Sequence, residues 1–553
     1  MSGSSIETTA PFPSAHPEAM TLNRCHSLRR LPALAKVLGL GFLLCSGCAP
    51  RPAPPSGPVL RVSQRNEPAT LDPQLATLPD EFLVLRSLLE GLLSPSPDGG
   101  APLPAVAERW ESSPDGLTWT FHLRHDARWS NGDAVTSRDF VYTIRRALDP
   151  AIGAPKARLF YLLRNARAFH LGRLKDPAEL GAAAPDIHTV VLTLERPAPQ
   201  LPALVASGPW LPVHAATVAK LGGTRESRWA LPGNFVGNGP FALSTWEPNR
   251  EISVQRNPAY RDPTRVPLAG IRFLAYDNGD TEERAFRAGQ VDVTMSVPVS
   301  KLPGYHTPVL HTQPLAETRY LSLNCTRPPL DDTRVRRALA LVLDRASLVG
   351  QVLRAGQQPA FGIVPPGLGG YTASPLFATD PSEARRLLAA AGFPDGKGFP
   401  QLELSTWTNV VVLEAIQQMW RRELGIESNI VQHEAKVHLA ALAAGDYVVA
   451  LVPAIPDYDD PAALLAEFTT DAPLNYPHWR NAAYEKLLGE ADLAAEPARR
   501  LALLRGAEKI LLAEMPVVPI YFNTRTFLVA PRVQGWREDR LWNRFYTDVT
   551  LHE

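Results

Sequence analysis

The stretch Ala107–Arg146 constrains this chain more than any other. Trp119, Phe121 and Leu123 alternate with Thr120, His122 and Arg124, the period-two pattern of a half-buried strand. Pro114-Asp115-Gly116 supplies a turn just before them, with glycine where a positive φ is needed. Asn131-Gly132 marks a second turn. Thr136 then precedes Phe140, Ile144 and Ala147 at helical spacing. Asp139 sits in the first turn, where the helix dipole favours an acid. A β-hairpin followed by a helix is predicted, and with it an α/β protein.

Length and charge bound the rest. A chain of 553 residues can form two or three domains with a substantial core. Lys+Arg and Asp+Glu are both 56, and this zero net charge argues against a nucleic-acid binder. Three of the four cysteines (Cys25, Cys45, Cys48) lie near the start, so the body has only Cys325. One cysteine makes no disulfide framework and no Cys-rich metal site, and it reads as a small buried residue. His433-Glu434 with His438 imitates a metalloprotease motif, but the second His falls at i+5, off the helical face of the first. Neither a G-x-x-x-x-G-K-[ST] loop nor a G-x-S-x-G elbow is present. Catalysis has no positive support, and neither a metal nor a cofactor is expected.

Residues 1–47 read as an N-terminal extension and a signal peptide. Arg24, Arg29, Arg30 and Lys36 precede the short apolar core Val37–Leu44, far below the ~20 residues of a membrane span. Leu44-Cys45-Ser46-Gly47-Cys48 resembles a bacterial lipobox, with Cys45 where leucine is usual. The resemblance implies a lipid on Cys48, with ordinary cleavage nearby as the alternative. Residues 48–58 form a Pro-rich tether, stiff and extended.

Further blocks are Leu71-Asp72-Pro73, a helical spacing over Asp80–Leu93, Asn238-Gly239-Pro240-Phe241, Arg256-Asn257-Pro258-Ala259-Tyr260 and Arg287-Ala288-Gly289-Gln290-Val291-Asp292. Helices are predicted after Asp332 and Asp380, over Leu413–Leu424 and over Arg499–Glu514. Together with W-x-x-S-x-D-G-x-x-W-T-F-x-L-R-x-x-x-x-W-S-x-G-x-x-x-T-x-x-D-F, these blocks resemble the extracytoplasmic solute-binding proteins of peptide and nickel ABC importers. The oligopeptide-binding members resemble it most, over residues 59–550. The resemblance implies an α/β, two-lobed periplasmic-binding-protein-like fold of type II with an extra domain, mixed sheets and a discontinuous first lobe. The first lobe would be 59–89, 206–317 and 522–553, the extra domain 90–205 and the second lobe 318–521. It further implies a monomeric, non-enzymatic lipoprotein of the cell envelope. Such a protein hands a peptide or peptide-like solute to a membrane permease with its ATPase. A nickel chelate or opine-like conjugate is the alternative ligand, and an envelope enzyme or chaperone the alternative class.

One polar cluster stands out. Pro453-Ala454-Ile455-Pro456-Asp457-Tyr458-Asp459-Asp460-Pro461 follows the apolar run Tyr447–Val452. From the residues alone it is either a solvated acidic turn or a set of acids at a strand end beside a cleft. The resemblance implies that Asp457 pairs with a peptide's free ammonium, which would offset the cost of burying the carboxylate. Tyr458 is its neighbour, and Ala454 stands where relatives have an aromatic platform. Pro453 and Pro456 remove backbone donors that would pair with peptide. Positions that meet a peptide carboxylate fall on Leu451, Leu353 and Asn409, with Arg354 adjacent. The implied ligand set is Asp457, Tyr458, Ala454, Asp459, Thr77, Tyr320, Asn409 and Arg354. Asp459 and Asp460 are expected in solvent.

Overall fold

The computed structural model describes residues 57–552 apart from Asn66 and Ala373. Cys48 and the signal segment lie outside the described residues. The predicted hairpin is present: Ala107–Ser112 pairs antiparallel with Thr118–Leu123, and Thr189–Thr193 and Ala182–Asp186 complete a four-stranded sheet. Gly116 has φ +69° in the turn. The helix Ser137–Leu148 follows, and the Thr136 N–H donates to Asp139 Oδ2 at 2.9 Å. The same carboxylate accepts from the indole of fully buried Trp129 at 3.4 Å. The tryptophan and the acid of the signature stretch thus hold one helix start.

A second four-stranded sheet orders Val59–Gln64, Gly270–Ala275, Glu251–Arg256 and Phe241–Glu247, with only the first pair parallel. A helix was expected over Asp80–Leu93 and covers Pro79–Leu88. It stops because its end is used from outside. The Gly239 N–H donates to Leu88 O at 2.9 Å, and Asn238 Oδ1 accepts from the Glu90 N–H at 2.9 Å. A Cβ on Gly239 would lie 2.5 Å from the Leu88 carbonyl carbon, so this contact needs glycine.

The third sheet has six strands, in the order Gln358–Pro359, Val517–Leu528, Leu310–Leu323, Val449–Ala454, Leu402–Thr406 and Ser428–Gln432. Helices Thr333–Leu341, Pro381–Ala390, Val410–Leu424 and Pro497–Glu514 pack around it. Their starts follow the sequence: Asp332 accepts from the Arg334 N–H, and Asp380 from the Glu383 N–H.

Two large apolar cores result among the described residues, beside a small cluster of Ile152, Ala154 and Ala157. One joins both four-stranded sheets; the other runs from Ala316 to Tyr521. Strand Leu310–Leu323 contributes Ala316, Tyr320, Leu321 and Leu323 to the second core, and its antiparallel partner Val517–Leu528 runs from the second core to the first. Val517, Val518, Ile520 and Tyr521 lie in the second core, and Phe527 and Val529 in the first. Their pairing breaks register between Pro314 and Thr318, in the stretch between the cores.

Buried ion pairs tie distant blocks within each body. Arg146, at the end of the signature stretch, forks onto Asp72 at 2.6 and 2.9 Å and also donates to Gln74. Asp292 takes two bonds from the side chain of Arg61 and two from that of Arg532. Burial opposes its charge, yet the two arginines hold its carboxyl below the usual range. Cys325 is half-buried, and burial pushes its thiol up to about 11.

Candidate functional site

A cavity open to solvent lies between the two cores, with about 1080 Å³ of empty space. Its first wall comes from Thr77–Phe82 and Ala203–Pro209, its second from Ile455–Asp459, and Asp539–Asn543 closes one side. Leu78, Pro79, Phe82, Pro209, Ile455, Leu541 and Trp542 give it a largely apolar lining. The helix Pro79–Leu88 presents Phe82 to this space. Its ring rests where Gly208 has no side chain, and a Cβ there would lie 2.2 Å from Phe82 Cδ1.

The strand Val449–Ala454 runs buried up to the second wall, and the acidic run begins three residues past its end. The acids of that run do different jobs. Asp457 stands in the cleft with its side chain 32% exposed, paired through Oδ1 to Nζ of Lys156. Lys156 comes from the opposite body, just ahead of the short helical turn Ala157–Phe160, and its Nζ lies 5.5 Å from the Phe82 ring centroid. Asp459 lines the cavity but is not free: its Oδ1 accepts the Gly369 N–H at 2.9 Å. Asp460 is not in solvent as expected. It is buried, forks onto Arg500 at 2.6 and 2.9 Å and accepts the Ala462 N–H, which makes it an anchor for the helix Pro497–Glu514. Tyr458 reaches across and packs against the first core. Burial raises its phenol pKa, and the Asp460 charge adds to the effect.

Of the implied ligand set, the cavity brings together Thr77, Asp457, Tyr458 and Asp459. Ala454 and Tyr320 are buried in the second core, where the Tyr320 ring meets Phe468 edge-on at 5.9 Å. Asn409 donates through Nδ2 to the Tyr521 hydroxyl at 3.2 Å. Arg354 is exposed, with a left-handed backbone, after the turn Leu348–Leu353. None of these four lines the cavity.

Sequence reasoning missed the cations. Besides Lys156, Arg86 and Arg540 line the space. Arg86 donates to Ala206 O at 3.0 Å while its Nε is buried without an acceptor. Burial lowers its pKa to about 10, against the opposing charge of Asp539. Asp539 is satisfied by the Leu541 and Asn543 N–H groups and by Asn543 Nδ2, and burial raises its carboxyl. Near the Asp457–Lys156 pair, burial also raises the half-buried carboxyl of Glu467, reinforced by the Asp457 charge. Lys156 and Arg158 oppose that rise. His433 and His438 lie elsewhere, with ring centroids 6.1 Å apart, and burial holds His438 neutral with a pKa of about 4. No helix among the described residues is long and apolar enough to cross a membrane.

Comparison with known proteins places this geometry. Residues 101–476 match the family described as bacterial extracellular solute-binding proteins, family 5. The chain is 32% identical over 493 residues to a probable deoxycholate-binding periplasmic protein of Escherichia coli, covering 86% of this chain and 90% of that protein. It is also 32% identical over 503 residues to the periplasmic oligopeptide-binding protein of Escherichia coli, covering 88% and 91%. The Escherichia coli murein tripeptide binding protein superposes with a TM-score of 0.80 at 30% identity, over 90% of this chain and 99% of that one. Its unliganded open form gives 0.72, over 90% and 98%.

Proposed function

Because the chain belongs to family 5 of the bacterial extracellular solute-binding proteins, we propose that it captures a peptide or peptide-like solute between its lobes for an ABC importer. It acts as a binding protein and not as an enzyme, and it passes the solute to a membrane permease driven by an ATPase. The observation that carries this reading is the cavity between two cores joined by crossing strands, with a partly exposed acid, Asp457, at a buried strand's end. Asp457 is the acid at which the amino end of the solute is placed, with Tyr458 and Thr77 beside it. The lower score against an open, unliganded relative fits lobes drawn together, and hinge closure on the crossing strands is the expected motion.

The division into a first lobe, an extra domain over 90–205 and a second lobe belongs to the same reading. So does a lipid on Cys48 that holds the body at the outer face of a membrane, the relatives being periplasmic. Replacing Cys48 with Ser should release the protein from membranes; a variant that stays bound and still incorporates palmitate would sink the anchor.

A non-peptide solute is the second reading. The apolar lining and the prior engagement of Asp457 by Lys156 favour it, and a relative of equal identity is named for binding deoxycholate. Native mass spectrometry of the protein as purified from its own envelope distinguishes them. Retained peptide masses support the first reading, and a retained non-peptide mass with no peptide overturns it.

A further inference from the structure

We infer that Lys156 is a specificity-determining residue. From within the chain it fills the place at Asp457 where a ligand's α-ammonium would sit, so the cleft selects solutes whose amino end carries no charge. The inference rests on reading the cleft as the solute site.

Two contacts hold the lysine there. Its Nζ pairs with Asp457 Oδ1 and lies near the Phe82 ring. The charges come from opposite walls: Lys156 from the loop before Ala157–Phe160, Asp457 from the segment after Val449–Ala454. A carboxylate paired in this way is electrically neutral towards a third group. A second ammonium at its other oxygen would stand beside the first and be repelled. An ammonium that took the lysine's place would exchange one ion pair for an equivalent one and return the lysine to water, with little net gain. An acylated or otherwise uncharged amino end meets no such penalty, and Phe82, Ile455 and Pro456 offer it an apolar wall.

The test is calorimetry on the intact protein and its Lys156→Met variant, with trialanine and N-acetyl-trialanine as probes. Wild type should bind the acetylated peptide at least as tightly as the free one. In Lys156→Met the free peptide should gain about tenfold or more, since Asp457 is then an unpaired acid in a cleft, while the acetylated peptide changes by less than about threefold. Lys156→Arg keeps the charge and should behave as wild type, which separates charge from lost packing. A wild type that prefers the free amine by about tenfold, with no gain on substitution, overturns the inference and leaves the peptide reading standing. If neither peptide binds either protein, both fall. A ligand-free arm reads the pair directly: amine-directed acetylation of Lys156, followed by mass spectrometry, should speed up severalfold in Asp457→Asn. Equal rates would mean that the pair does not exist in solution, and the inference would fail.

Discussion

Two acid–base pairs within the bodies of this protein, Arg146–Asp72 and Arg500–Asp460, are forked and dry, whereas Lys156–Asp457 and Arg196–Asp492, which join the bodies, are single-pronged and wetter. Arg146–Asp72 and Arg500–Asp460 each make two short bonds, with side chains 3% and 4%, and 6% and 8%, exposed. Between the bodies, Lys156–Asp457 is 20% and 32% exposed, and Arg196–Asp492 makes one 2.6 Å bond at 54% and 22%. The arginine fork suits permanent pairing, because it satisfies both carboxylate oxygens at once. A lysine ammonium is a point charge with a flexible stem, and it releases its partner without leaving a fork unfilled. The difference teaches which pairs belong to the folded bodies and which to the equilibrium between open and closed cleft.

The largest expected effect tests the dry side. Arg146→Met leaves the Asp72 carboxylate buried with only the Gln74 N–H as a polar partner. Removing one half of such a pair costs about 3–5 kcal/mol. Urea unfolding should show a large fall in midpoint, and a loss below about 1 kcal/mol would erase the distinction between the two regions.

The next effect tests the wet side with the same chemistry. Asp457→Asn, in a pair that is partly in water, should change unfolding stability by about 0–1 kcal/mol, whereas Asp460→Asn should approach the cost of breaking a buried pair. These acids are three residues apart on one segment, so composition and local propensity are shared and only the partner differs. Similar losses for both would mean that position in the cleft does not set the energy.

That contrast also marks what the sequence could tell. The hairpin at Ala107–Leu123 and the starts at Thr136, Asp332 and Asp380 were legible, because strand period and cap chemistry are written in adjacent residues. The two-lobed architecture came through resemblance over many blocks, and the comparisons bear it out. The helix from Pro79 was read too long because its terminator, Asn238, is 148 residues away from Glu90. The acids could not be told apart for the same reason. Asp460's partner lies 40 residues on and Asp457's 301 residues back, and nothing local announces either. Tyr320 was placed in the ligand set, yet it belongs to a strand whose residues from Tyr320 to Leu323 are all buried, so no alternation marks a side facing the cleft. Only one cue pointed to Lys156: it is one of nine lysines in an arginine-rich chain, set in a loop between Pro155 and a short helical turn.

The smallest effect separates the two regions without mutation. Raising salt from about 0.1 to 1 M shortens the screening length from about 10 to 3 Å. Buried forks are little affected, because ions cannot reach them, whereas pairs at the mouth of the cleft lose most of their attraction. If Lys156–Asp457 and Arg196–Asp492 help hold the ligand-free lobes together, the radius of gyration in solution scattering should rise slightly with salt. Unfolding stability should not fall in step with it. Asp457→Asn combined with Asp492→Asn removes the acids of both pairs that join the bodies. That double variant should start from the larger radius and no longer respond to salt. A radius that is the same in both proteins at both salt concentrations would mean that the cross-cleft pairs do not set the opening. Apolar contacts such as Tyr458 against the first core would then do so instead.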